Sequence, residues 1–202
     1  VAQWNDLSGN GNNLLGGDLF GFNDPLFTTN AAGDPMVYFN ATNGTYGTAL
    51  YAGDAPTLEI TGDISVVALV NFTETAFGGG HGELVAKTGY NNPNVAAPYD
   101  YHAANNGMST LRGNGNTAAG SYGSYTATAS ISSGKPHVMV FSGAGNVVNN
   151  YLDGQLIGSG VLGANGGGSY NMANCADQNQ SFFVGGRGDL IKYNAEKLSG
   201  DM

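Results

Sequence analysis

The chain has 202 residues, of which 41% are hydrophobic and only 10% charged, and 34 are glycine. That length suits one all-β domain with a substantial core, and the apolar share excludes disorder. A net charge of −9 with six basic residues disfavours nucleic acid and anionic membrane, since both are gripped by Lys/Arg surfaces.

Strand-like runs follow one another at short spacing, separated by Gly, Asn and Pro clusters. Residues 35–40 (PMVYFN) read as a short aromatic strand. Ile64–Phe72 is apolar along most of its length, the pattern of a strand covered on both faces at the centre of a sandwich. Residues 82–88, 99–103, 109–112 and 122–129 are further strands, and 181–186 (SFFVGG) is a late one. The most informative stretch is 135–159. A run at 136–142 leads into Gly143-Ala144-Gly145-Asn146, whose residues tolerate positive φ. Val147–Leu152 follows, then Asp153-Gly154, then Gln155–Val161. Asp-Gly is a strong two-residue hairpin signal, because both central positions of a type I′ turn need φ > 0. This antiparallel meander anchors an all-β sandwich over residues 1–202 as a single domain. Helix signals are weak; residues 195–198 offer at most one turn.

Cys175 is the lone cysteine, so no internal disulfide framework is expected, and it reads as a small buried thiol. No apolar run reaches the 18 residues of a membrane span. The chain starts at Val1 without a signal peptide, which reads as a processed or excised segment. The low Lys content and the Asn/Thr/Gly-rich surface suggest a secreted protein at the cell surface or beyond.

Several segments together resemble the laminin-G-like, concanavalin-A-like jelly-roll superfamily, in its bacterial secreted form. Trp4-Asn5-Asp6-Leu7-Ser8-Gly9-Asn10-Gly11-Asn12 is similar to that group's opening W-x-D-x-S-G-x-G-N motif. Gly33-Asp34-Pro35-Met36-Val37-Tyr38-Phe39 resembles its G-x-P-x-V-x-F strand. His137 through Gly154 matches its H-x-V … Y-x-D-G hairpin, and Val184-Gly185-Gly186-Arg187 its V-G-G-R strand. The resemblance implies a two-sheet antiparallel jelly roll in which His137, Tyr151, Asp153 and Trp4 are fold determinants. It also implies a strand before the Trp4 motif and an apolar strand after Met202. The segment therefore looks like a jelly roll lacking its terminal strands. Those strands would lie in unseen residues, in a longer polypeptide, or in a neighbouring molecule that donates one.

Chemistry is sparse. Jelly-roll glycosidases resembling this fold carry E-x-D-x-x-E on one strand, and no such motif occurs among the four glutamates. Glu59 and Asp63 flank Gly62 and read as part of a turn. His81, His102 and His137 lack the spacing of a zinc site, and no G-x-S-x-G elbow appears. Catalytic residues are expected to be none. Asp6, Asn10, Asn12 and Asp24 form an oxygen-rich stretch, the candidate ligands of a Ca²⁺ ion. The favoured alternative is that such Asx residues cap turns through their own backbone. Asp100, Asn171, Asn174 and Asp177 are scattered alternatives. Tyr90, Tyr99, Asp100, Tyr101, Tyr122 and Tyr125 lie in or beside polar Gly/Asn loops and form the candidate carbohydrate site. There, rings would stack on sugar faces while Asp bonds hydroxyls; the alternative is that half of them are ordinary strand aromatics. Asn40, Asn43, Asn71 and Asn179 begin N-x-S/T sequons, and Asn71 falls inside a strand, where a glycan fits poorly. Arg187-Gly188-Asp189 reads as a chance tripeptide.

The sequence thus points to a non-catalytic extracellular interaction module for glycan binding or surface adhesion. The alternative is a structural subunit of a filament or surface layer built by strand pairing between protomers. The expected partners are glycans or other copies of the chain.

Overall fold

A computed structural model describes residues 1–16, 23–40, 48–60, 62–72, 81–87, 99–104, 107–113, 122–131, 134–164, 181–186 and 200–202. Among these residues the strands fall into two antiparallel sheets, the all-β sandwich expected. A single 3₁₀ turn, Pro56–Leu58, interrupts them.

The chain opens with β1 (Gln3–Trp4), β2 (Leu14–Gly16), β3 (Leu26–Thr29), β4 (Pro35–Phe39) and β5 (Leu50–Ala52). Then come β6 (Ile64–Phe72), β7 (His81–Lys87), β8 (Tyr99–Ala104), β9 (Gly107–Gly113) and β10 (Tyr122–Thr128). The meander supplies β11 (Pro136–Ala144), β12 (Val147–Leu152) and β13 (Gln155–Val161). Short strands β14 (Gly163–Ala164), β15 (Phe182–Val184) and β16 (Gly200–Asp201) complete it. One sheet runs β1-β2-β5-β15-β7-β8-β9-β10-β14, and the other β13-β12-β11-β6-β16-β4-β3.

The meander forms where its turn chemistry demands. Asp153 and Gly154 both take positive φ, 52° and 80°, as a type I′ hairpin requires. The preceding turn is tighter than expected. β11 continues through Ala144, and Gly145, at φ 58°, begins a two-residue turn with Asn146. Asp63 reaches across to accept the Gly145 N–H at 2.8 Å.

Between the sheets lie Phe39, Val70, Phe72, Tyr99, Tyr101, Met108, Met139 and Phe141, all buried. Tyr101 and Phe141 meet across the sandwich with ring centroids 5.3 Å apart. β6 departs from expectation. Its inward residues Ala68, Val70 and Phe72 are buried, but Val67 and Leu69 point out and are 68% and 61% exposed. A two-layer sandwich covers only one face of each sheet, so an unbroken apolar run here does not mean cover on both faces.

At the end of the chain, β16 lies inside the seven-stranded sheet, pairing with both β4 and β6. The ladder extends one step further, because Met202 and Val37 exchange both backbone hydrogen bonds, at 2.9 and 3.0 Å.

Candidate functional site

β8 reads Tyr-Asp-Tyr-His, and its period of two sends tyrosines and polar residues to opposite faces. Tyr99 and Tyr101 turn inward and are each 1% exposed. The Tyr99 hydroxyl donates to the Leu58 carbonyl at 3.0 Å. Both rings are core elements and offer no face to a sugar, which corrects their reading as stacking platforms. Tyr125 also faces inward, half-buried against β13: a Cβ on Gly158 would lie 2.6 Å from its hydroxyl, and one on Gly160 would overlap its ring. Tyr122 lies in β10 with only its backbone described, and Tyr90 falls outside the described residues.

Asp100 and His102 point to the outer face of the nine-stranded sheet. Register puts His102 opposite Glu83 on β7 and opposite Ser109 on β9, and Ser109 opposite Thr126 on β10. A polar row therefore crosses four strands. His102 Nδ1 lies 2.9 Å from Asp100 Oδ1 and 3.7 Å from Glu83 Oε2. The first is a hydrogen bond; the second is an electrostatic contact only. Ser109 Oγ and Thr126 Oγ1 are 2.7 Å apart. Glu83, Asp100, His102 and Ser109 are buried, whereas Thr126 and Thr128 on β10 are exposed. The row thus runs from an open hydroxyl end to a closed acid–imidazole end. A bulge at Leu84 lets Glu83 meet His102 while Leu84 and Val85 both pack toward the core.

The acid–imidazole end could also hold a cation, since one ligand atom from each of Glu83, Asp100 and His102 lies within 4.8 Å of the others. The N-terminal oxygen-rich stretch fits an ion less well. Asp6 Oδ1 accepts the Ser8 N–H at 2.7 Å and Oδ2 the Asn12 N–H at 2.9 Å. The Ser8 side chain foremost, then the Ser8 and Asn12 N–H groups, hold the Asp6 carboxyl below its ordinary range by hydrogen bonding to it. Asn10 bonds Ser8, and the Asn12 amide bonds Thr57 at 2.9 Å. Asp24 lies apart, where a Cβ on Gly16 would meet its carboxylate. The structure thus joins Asp6, Asn10 and Asn12 as a capped loop tied to the 3₁₀ turn, without Asp24.

His137 behaves as a fold element: its Nδ1 meets Asp153 Oδ2 at 2.8 Å, and Asp153 Oδ1 accepts the Val138 N–H at 2.9 Å. Asn71 is half-buried inside β6, paired with Pro136 and Asp201, and its side-chain oxygen is buried. A glycan has no exit there in the folded chain. Asn40 is exposed at the end of β4. Asn43, Asn179, Asn171, Asn174, Cys175, Asp177, the Arg187 tripeptide and residues 195–198 fall outside the described residues. No helix among the described residues is long and apolar enough to cross a membrane.

Two further features lay outside what the sequence suggested. Lys87 is fully buried and bonds Asp54 at 2.8 Å. Trp4, read as structural, is 42% exposed and lines grooves on both of its sides.

No family model and no curated protein matches the chain. Solved structures do. Domain 4 of AbnA, an extracellular GH43 arabinanase from Geobacillus stearothermophilus in complex with arabinotriose, superposes with TM-score 0.59 at 14% identity. It covers 97% of this chain and 82% of that one. The CBM40 of a Ruminococcus gnavus IT-sialidase, bound to α2,3-sialyllactose, gives 0.54 at 10% identity, covering 89% and 86%. The binding domain of botulinum neurotoxin DC, in complex with rat synaptotagmin II, gives 0.56 at 7%, and this chain spans 42% of it. Together with the two antiparallel sheets, these likenesses show that the chain folds as a jelly-roll β-sandwich.

Proposed function

We propose that the chain is a non-catalytic extracellular interaction module that binds glycans or mediates surface adhesion. Its ligand face is the outer face of the nine-stranded sheet. The observation that supports this is the polar row from Thr126 through Ser109 to His102, Asp100 and Glu83. Its exposed end presents the Thr126 hydroxyl, bonded to Ser109 behind it, as a group that can donate to or accept from a sugar hydroxyl. Thr126 and Thr128 form the accessible entry. Two similar structures hold saccharides, an analogy of fold only.

Glu83 and Asp100 do not read as a hydrolytic pair. A glycosidase places its two carboxyls on either side of a substrate bond. Here both converge on one imidazole at 0% and 1% exposure, with no room for a sugar ring between them.

A glycan panel covering neutral polysaccharide fragments and sialylated oligosaccharides tests the reading. At least one glycan should bind, and Thr126→Ala should weaken it roughly tenfold, the worth of one hydrogen bond. Absence of any binder, or undiminished binding by the variant, sinks the proposal.

A second reading, a filament or surface-layer subunit, has one observation in its favour. The outer face of the seven-stranded sheet exposes Val67, Leu69, Val138 and Leu156, apolar surface of the kind that marks contact sites. Light scattering that finds only monomers at high concentration argues against it.

A further inference from the structure

Strand register gathers three metal-ligating side chains at the closed end of the polar row. β8 carries Asp100 and His102 two residues apart, so both leave the strand on one face. β7 sets Glu83 directly opposite His102. One ligand atom from each of the three lies within 4.8 Å of the others, and all three side chains are buried. Chain spacing hides this grouping, because Glu83 comes from the neighbouring strand.

We propose that Glu83, Asp100 and His102 form a binding site for one divalent first-row transition ion of the zinc type. Three observations select that ion. The first is spacing. His102 Nδ1 lies 2.9 Å from Asp100 Oδ1 and 3.7 Å from Glu83 Oε2. With metal–ligand bonds of about 2.1 Å, the corners of a tetrahedron sit about 3.4 Å apart, between those two values. Small side-chain adjustments bring all three atoms to bonding distance. The second is the donor set. One imidazole nitrogen with two carboxylate oxygens is a mixture that zinc-type ions take. Ca²⁺ asks for roughly six to eight oxygens at longer range, and Mg²⁺ for an octahedron of oxygens, several of them water; neither gains from an imidazole. The third is charge. With the imidazole neutral, as ligation requires, the trio brings two negative charges, which a divalent ion matches, and burial strengthens that attraction.

Where His102 carries its proton on Nδ1, binding exchanges one bond for another. The N–H bond to Asp100 breaks, its proton leaves to solvent, and the nitrogen and both carboxylates bond the ion. The fourth tetrahedral position falls to water. Burial of all three ligands couples uptake to folding. The inference goes beyond the glycan reading. The ion lies at the closed end of the row, away from Thr126, and its test contains no saccharide, so either can fail alone.

The 202-residue chain is unfolded in denaturant with a chelator, then refolded with equimolar Zn²⁺, with Ca²⁺ or without metal, and desalted. Elemental analysis should find one zinc per chain and no calcium. Refolding with Co²⁺ should give the intense visible absorption of a tetrahedral site, not the faint colour of the hydrated ion. The zinc-loaded chain should melt at a higher temperature than the metal-free one. Glu83→Gln and Asp100→Asn keep the side-chain shape and remove one anionic ligand each. Each should weaken Zn²⁺ at least tenfold in competition with a chelator. Circular dichroism checks that the variants fold; if neither does, the Co²⁺ spectrum of the unaltered chain decides. No retained zinc, zinc stripped from the folded chain by a brief chelator wash, a Co²⁺ spectrum like that of the hydrated ion, undiminished affinity in both folded variants, or calcium held as tightly as zinc overturns the proposal.

Discussion

Asp153 adopts a left-handed φ of 52° while its carboxylate bonds both the His137 ring and the Val138 N–H. The His137 bond is the largest cause holding its carboxyl below the ordinary range. A lowered folded-state pKa favours the ionised form. The stability it contributes is therefore complete above the unfolded value near 3.9 and is lost as pH falls through the folded value. Asp153→Asn keeps a residue that tolerates this backbone and removes only the charge. The variant should be less stable by on the order of 1 kcal/mol at pH 5, the size of a solvent-screened pair. That deficit should shrink toward zero by pH 2. Denaturant melts at pH 5, 4, 3 and 2 check it, and a deficit that stays constant would show that the charge contributes nothing. Asp153 was legible because its turn is local: Asp-Gly between two strand patterns leaves few alternatives. The inward turn of Tyr99 and Tyr101 was legible too, in the strict alternation of Tyr-Asp-Tyr-His, but only if period two outranked the polar loops on either side.

At the level of elements, β10 and β13 lock the two sheets together at one end through glycine. The Tyr125 ring lies on Gly158 and Gly160 so closely that neither has room for a Cβ. Gly160→Ala should cost about 1–3 kcal/mol by overpacking. Tyr125→Ala on the Gly160→Ala background should recover part of that loss, since the two changes act on one contact. Additive losses in a thermal double-mutant cycle would show the ring is not what excludes the methyl. Glycines in a strand pattern can announce a close approach, yet the partner ring sits more than thirty residues away and no local rule names it. The same limit hid the Glu83–His102 pair, which depends on cross-strand register and on a bulge at Leu84. The meander and the strands Pro35–Phe39 and Ile64–Phe72 were readable because turn residues and apolar runs are local signals, whereas β5 was not read. Sheet order is not, since half of the strand neighbours here are not consecutive in sequence.

For the whole molecule, the polar row lies on the nine-stranded sheet and the exposed Val67, Leu69, Val138 and Leu156 lie on the other, so a ligand on one face leaves the other free. The nine-stranded sheet also shuts a cation away at its interior. Lys87 lies on β7, between β15 and β8, fully buried against Asp54, while Lys135 is exposed. An amine-acylating reagent should modify Lys135 at once. It should reach Lys87 only when β7 separates from its neighbours, at a rate that rises with added urea. Peptide mapping over a time course measures both, and equal rates would mean that strand opens freely. The buried ammonium thus serves as a built-in clock: each modified Lys87 records one excursion of the sandwich from its closed form.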